Sequence, residues 1–175
     1  YASVGGVGDP QNRWKFAETK RKSEIDRSVP AWRDTNPELA DFVEAYEGIL
    51  KARKQIDFDG MPLLAYDMVS RFPWISEALK AKYPVLFVDE YQDLGYALHE
   101  LVLKLCFESG IRLFAVGDID QSIYGFAGAE PSLLEGLSAR ADVQTIRLRF
   151  NYRCGTDIID ASMAALGAER GYVGP

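Results

Sequence analysis

The chain has 175 residues, a formal net charge of −6 and a hydrophobic fraction of 47%. That length and composition support a buried core in one or two domains, and the acidic balance excludes a protein that grips nucleic acid by charge over its whole surface. No apolar run approaches the roughly 18 residues of a membrane span, no secretory leader opens the chain, and the two widely spaced cysteines, Cys106 and Cys154, fit a reduced, cytoplasmic setting.

Gly5, Gly6 and Gly8 open the chain without a following Gly-Lys-Ser/Thr, so they read as a flexible end and not as a phosphate loop. Arg13, Lys15, Lys20, Arg21, Lys22 and Arg27 follow among acids. They read as solvated helix faces or as contacts to a nucleic-acid backbone, while Trp14, Phe16 and Trp32 read as packing residues. Asn36-Pro37 is a helix start, with a capping side chain followed by a proline whose missing N–H costs nothing there. Leu39, Phe42, Val43, Tyr46, Ile49 and Leu50 then recur at helical spacing. A second helix is predicted from Met61-Pro62, carrying Leu63, Leu64, Met68 and Phe72 and ending at Pro73, and a short third one from Ser76 to Lys82.

Pro84 opens an unbroken apolar run, Val85 to Val88, that reads as a strand buried on both faces. Asp89 and Glu90 stand at its carboxyl end, where α/β proteins place their chemistry. Leu94, Leu98, Leu101, Val102, Leu105 and Cys106 form the stripe of a crossover helix, stopped by Gly110. His99, the one histidine of the chain, falls off the centre of that stripe and reads as a surface or edge residue. A second strand, Arg112 to Val116, ends in Gly117-Asp118-Ile119-Asp120-Gln121, so two parallel strands aim acids at one crevice. The loop to Ala129 carries Tyr124 and Phe126, spaced to project two rings to one side. A small helix over 131–137, a third strand over Val143 to Leu148, a polar turn at 149–154 and a helix from Thr156 to Leu166 complete the reading.

Adjacent carboxylates at a strand end suit magnesium chemistry. One holds the ion while its neighbour orients and deprotonates a water, and no His/Cys cluster points to zinc. Gln121 and Arg153, also on strand-end loops, are of the types that hydrolysis of a γ-phosphate requires, a polar group to sense it and a cation to meet its charge, though each by itself reads equally as a surface residue. Solvated acids or a helix cap at Asp93 would read the same way for the pair alone.

Val88-Asp89-Glu90-Tyr91-Gln92-Asp93 resembles the Walker B motif of the UvrD/Rep/PcrA family of superfamily-one DNA helicases. The segment from Val116 to Ala129 resembles that family's third motif, Leu148 to Cys154 its fourth, and Asp57-Phe58-Asp59 the return from a helical insertion to the first motor domain. The resemblance implies a P-loop NTPase (RecA-like) α/β fold: a helical segment over 1–55, the back half of the first motor domain over 56–142, and the start of the second over 143–175. It implies that Asp89 coordinates Mg²⁺ and Glu90 activates water. Gln121 would sense the γ-phosphate of ATP and Arg153 would act as an arginine finger, so that both bind the nucleotide, while Tyr124 and Phe126 would stack on single-stranded DNA. Travel in the 3′ to 5′ direction comes with the family.

Several positions depart from the family pattern. Ala127 stands where an arginine is usual, Ile119 and Cys154 replace an aspartate and a serine, and no G-x-x-x-x-G-K-[ST] loop occurs in the chain. The chain is therefore read as an internal piece of an ATP-dependent helicase, inactive alone. Two other readings stay open: a metal-dependent nuclease using Asp89, Glu90, Asp93, Asp118 and Asp120, and a nonenzymatic DNA- or protein-binding relic of a motor.

Overall fold

A computed structural model of the chain describes residue 21, residues 37–125 and residues 128–166. The readings for the glycine-rich opening, the early basic residues other than Arg21, the three packing aromatics, the Asn36 cap, Phe126 and Ala127 lie outside the described residues. Two compact units are present, 1–134 and 135–175. None of the described helices is long and apolar enough to cross a membrane.

The first unit begins with α1 (Pro37–Ala52), which buries Val43 of the predicted stripe together with Ala40, outside that stripe, while Ile49 of the stripe is 53% exposed. Arg21 is buried beside it. The guanidinium donates to both oxygens of Asp57 at 2.8 and 3.0 Å and to Glu47 at 3.0 Å, and lies over the Tyr46 ring. Asp57 also accepts the Tyr46 hydroxyl at 2.9 Å and the Gly60 N–H at 2.8 Å. The segment Asp57-Phe58-Asp59 thus anchors the start of α2 (Gly60–Arg71) to α1.

In α2 the buried face is Gly60, Leu63 and Val69. Leu64, Met68 and Phe72, predicted to share the packing stripe with Leu63, are about half exposed. The helix packs against α4 (Tyr96–Leu103) and the π-helical turn that extends it, Lys104–Glu108. Pro73 does end α2, but it is also the first residue of α3 (Pro73–Lys82), with Phe72 as a one-residue joint. The third helix therefore starts three residues earlier than its apolar spacing indicates.

Two strands, β1 (Val85–Val88) and β2 (Arg112–Ala115), pair in parallel with Val85 opposite Arg112 and Val88 opposite Ala115. The α4 crossover joins them as predicted, and Gly110 stops it in a left-handed conformation (φ 79°) that favours glycine. The reading of β1 as buried on both faces is corrected. Phe87 is 71% exposed and pairs in register with the exposed Phe114, ring centroids 5.4 Å apart, because no further element covers that face among the described residues.

His99 is also corrected. It is buried, not at the surface, and its Nδ1 is hydrogen-bonded to the Tyr91 hydroxyl at 2.8 Å with the rings edge to face. The inward stripe of this segment is His99, Val102 and Cys106, joined by Ala97, while Leu98 is 42% exposed. A helix stripe counted on apolar residues alone misses its own register when a histidine occupies one turn of it. Both cysteines are free thiols.

The helix expected near 131–137 is α5 (Ser132–Ser138), and α6 (Thr156–Leu166) occupies the span predicted for it. Within the second unit Leu137 and Ile159 are buried. The strand expected over Val143 to Leu148 is not formed; the backbone there pairs only at a single bridge at Phe150. Ile146, Leu148 and Phe150 alternate with Arg147 and Arg149 as a strand requires, but a strand exists only with a partner, and these apolar side chains are 76%, 79% and 56% exposed.

Candidate functional site

The two strand ends are tied together one step beyond the sheet proper. The Val116 N–H donates to the Val88 carbonyl at 2.8 Å, and the Tyr91 N–H donates to the Val116 carbonyl at 2.9 Å. Between these bonds the chain reverses its facing: Asp89 and Glu90 are exposed, whereas Tyr91 and Gln92 are 0% and 2% exposed. Glu90 makes the reversal, in a left-handed conformation (φ 50°, ψ 48°). For a non-glycine residue this costs on the order of 1–3 kcal/mol, and the bonds around it compensate. The Glu90 carbonyl accepts the Asp93 N–H at 2.9 Å, opening the 3₁₀ turn Tyr91–Asp93, and its N–H donates to Asp89 Oδ1 at 3.0 Å.

Gln92 is the connection between the loops. Its Oε1 accepts the Asp118 N–H at 2.9 Å, and its Nε2 donates to Glu90 Oε2 at 2.7 Å. Since a backbone N–H must donate, the amide can be oriented in one way only, with its NH₂ toward Glu90. Asp118 in turn accepts the Asp120 N–H on Oδ1 at 3.0 Å, capping the 3₁₀ turn Ile119–Gln121, and the Gln121 Nε2 on Oδ2 at 2.8 Å. Glycine is required at 117: a Cβ there would stand 2.7 Å from Gln92 Oε1 and 3.1 Å from the Tyr91 nitrogen.

Asp89, Glu90 and Gln121, singled out from sequence, are thus brought to the same end of the sheet. Gln92 and the bridging role of Asp118 were missed, because spacing does not distinguish a buried polar side chain from an exposed one. One oxygen of Asp93, Oδ1, is buried with no hydrogen-bond partner among the described residues, so Asp93 is not simply a solvated acid. Among the described residues no three His, Cys, Asp or Glu side chains gather as a metal-binding group, which leaves the five acids of the nuclease reading dispersed.

The aromatic loop is held at both ends. The Ala129 N–H donates to the Tyr124 carbonyl at 3.2 Å and the Glu130 N–H to the Leu94 carbonyl at 3.0 Å. Gly95 packs against it so closely that a Cβ would meet the Gly128 carbonyl at 2.9 Å. Tyr124 is 47% exposed on this loop. Arg153 belongs to the second unit, exposed in a turn whose Asn151 side-chain oxygen accepts the N–H groups of Arg153 and Cys154 at 2.9 and 3.0 Å.

Residues 10–142 match the model of the UvrD/REP helicase N-terminal domain. The chain belongs to the UvrD/REP helicase family. Among the relatives of this UvrD/REP chain, the ATP-dependent DNA helicase PcrA of Leuconostoc citreum is 33% identical over 129 residues, 73% of this chain and 17% of its own length. PcrA of Staphylococcus epidermidis is 30% identical over 160 residues, 91% of this chain and 21% of its own. The ATP-dependent DNA helicase Rep of Salmonella typhimurium is 39% identical over 118 residues, 67% of this chain and 17% of its own. The chain therefore spans about one fifth or less of the length of these curated relatives. The recognition made from the three strand-end motifs is borne out. The mixed helix and strand architecture with its parallel pair is consistent with a P-loop NTPase fold.

Proposed function

We propose that the chain is part of an ATP-dependent DNA helicase or translocase and supplies the hydrolytic acids and phosphate sensor of its motor, in a RecA-like fold. The observation that carries this reading is the joining of Glu90 and Gln121 through Gln92 and Asp118 at the carboxyl end of two parallel strands, in a member of this family. The names of its relatives, ATP-dependent DNA helicases, support the substrate class. The open face around Phe87 and Phe114 supports a larger domain, since parallel sheets are stable with both faces covered.

In this reading Asp89 and Glu90 form the Walker B pair. The donor chemistry fits magnesium: Asp89 is exposed and offers hard oxygens, one of which accepts the Glu90 N–H. Magnesium takes one or two carboxylates and completes its shell with water and phosphate, so the lack of a three-acid cluster does not conflict with it. Asp89 would hold such an ion, which when bound would supply positive charge to offset that of the phosphates. Glu90 accepts the proton of the attacking water, Gln121 turns from Asp118 to the γ-phosphate, and Arg153 of the second motor domain places its cation on the charge that develops there. Tyr124, with Phe126 two residues on, stacks on the bases of single-stranded DNA at about 1–3 kcal/mol per base. One loop then carries both the phosphate sensor and the stacking rings, a physical route from hydrolysis to grip.

The experiment compares ATP turnover, with and without single-stranded DNA, by the 175-residue chain and by the full-length polypeptide that contains it. The full-length protein hydrolyses ATP and loses that activity with Glu90→Gln. The chain alone does not hydrolyse ATP, because the phosphate loop is not in it. Turnover by the 175 residues that depends on Glu90 would sink the reading of the chain as a part, and a full-length protein inert toward ATP would sink the motor.

A further inference from the structure

Gln92 is the most buried polar side chain of the site, and nothing in the hydrolytic scheme above gives it a task. It nevertheless joins the two halves of that scheme. The hydrogen-bonded path runs from Glu90 Oε2 to Gln92 Nε2 at 2.7 Å, from Gln92 Oε1 to the Asp118 N–H at 2.9 Å, and from Asp118 Oδ2 to Gln121 Nε2 at 2.8 Å. Resting on the motor reading, we infer that Gln92 is a positioning residue that couples the phosphate sensor Gln121 to the orientation of the base Glu90.

The physical argument has three steps. Glu90 sits in a strained backbone conformation on an exposed loop, so its carboxylate has many orientations unless something holds it. Gln92 holds it from a buried and therefore fixed platform, so close to the Gly117 backbone that a Cβ there would stand 2.7 Å from Gln92 Oε1. The other end of the same amide is set by the Asp118 backbone, whose side chain keeps Gln121. When Gln121 leaves Asp118 for a phosphate, Asp118 loses a donor, and the side-chain amide that links Asp118 to the Glu90 carboxylate among the described residues is that of Gln92. The presence of phosphate is thereby reported to the base through hydrogen bonds that polarise one another. Only an amide serves here. A glutamate at 92 would still accept from Asp118 but would have no N–H to donate to Glu90.

The test is steady-state ATP hydrolysis by the full-length polypeptide across pH for wild type, Gln92→Ala and Gln92→Glu, with thermal melting of each and amide exchange at Asp118. Both substitutions lower kcat about 10- to 100-fold, as removal of an orienting partner does, while KM for ATP changes less than about threefold. Gln92→Glu keeps the acceptor for Asp118 but has no N–H to donate to Glu90, so it restores protection of the Asp118 amide without restoring kcat. The Asp118 amide exchanges faster in Gln92→Ala. Unchanged kcat in folded variants overturns the inference, as does a loss of kcat that only tracks melting temperature with Asp118 exchange no faster in Gln92→Ala than in wild type. A wild-type protein that does not turn over ATP removes the motor reading itself, so the two failures are told apart by the wild type.

Discussion

Tyr91 and His99 are hydrogen-bonded to one another at 2.8 Å directly behind the exposed acids, and both are buried. The turn that presents Glu90 to solvent therefore rests on the helix that follows it. Cys106, two turns further along, completes that support. Burial pushes the Cys106 thiol up to about 11, and burial, with the charges of Cys106 and Glu100, pushes the Tyr91 hydroxyl up to about 12.

Alkaline pH consequently loosens this region in a defined order. Each folded-state value lies above the unfolded one, so the folded state holds its proton longer and its stabilising contribution is complete below the unfolded value. It is lost as pH rises, from 9.0 to about 11 for Cys106 and from 10.0 to about 12 for Tyr91. Two pH units correspond to roughly 2–3 kcal/mol for each group. Urea unfolding at stepped pH shows stability falling from about pH 9, and Cys106→Ala delays the onset toward pH 10. A midpoint flat from pH 8 to 12 would contradict the burial of both groups.

The acid side is governed by a different cluster. Burial raises the carboxyl of Asp57, but the hydrogen bonds from Arg21, Tyr46 and the Gly60 N–H outweigh it and hold the group below its ordinary value of 3.8. Its contribution is present above that value and is lost as pH falls through the depressed one, so the cluster weakens only below about pH 4. Removing the cation acts at any pH. Arg21→Ala leaves Asp57 and Glu47 facing each other without their shared donor; the cost is roughly 1–3 kcal/mol, between the values for buried and for exposed pairs. Gly60→Ala is nearly as damaging, since its Cβ would lie 2.6 Å from Asp57 Oδ1 and 3.2 Å from Arg21 Nη2. Denaturation midpoints of the two variants at pH 7 test this; a neutral Gly60→Ala would mean the cluster gives way at no cost.

The legible part of this chain is the part in which local pattern and chemistry coincide. β1, α4 and β2 were readable because an apolar run, a helical stripe and a left-handed Gly110 each left a distinct mark, and Asp89, Glu90 and Gln121 were readable because strand ends expose them. Val143 to Leu148 had a strand's alternation but pairs with no strand among the described residues, and pattern specifies which residues could pair without supplying the strand they pair with. His99, Gln92 and the Arg21–Asp57 pair were hidden for a common reason. Polar groups become buried when a specific partner satisfies them, and their partners are up to 36 residues away. For Arg21 with Asp57 and Gln92 with Asp118 that information lies in the tertiary structure and in no local window.

Arg153 supplies the last test, because the turn that carries it has a simple construction. Asn151 Oδ1 accepts two successive N–H groups, those of Arg153 and Cys154, and so fixes the backbone from which the guanidinium projects. In the motor reading, Arg153→Ala removes the cation that meets the transition-state charge, and ATP turnover by the full-length protein falls by about 10³- to 10⁵-fold. Arg153→Lys restores little, since a point charge does not reproduce the planar fork. Asn151→Ala keeps the cation and frees its backbone, so its loss is confined to about 10- to 100-fold, the range for a group that orients another. Binding of ATP, read by fluorescence of a nucleotide analogue, weakens far less than turnover in all three variants. An Asn151→Ala protein as slow as Arg153→Ala would mean that the asparagine itself touches the nucleotide, and an Arg153→Ala protein with undiminished turnover would remove the finger from the scheme.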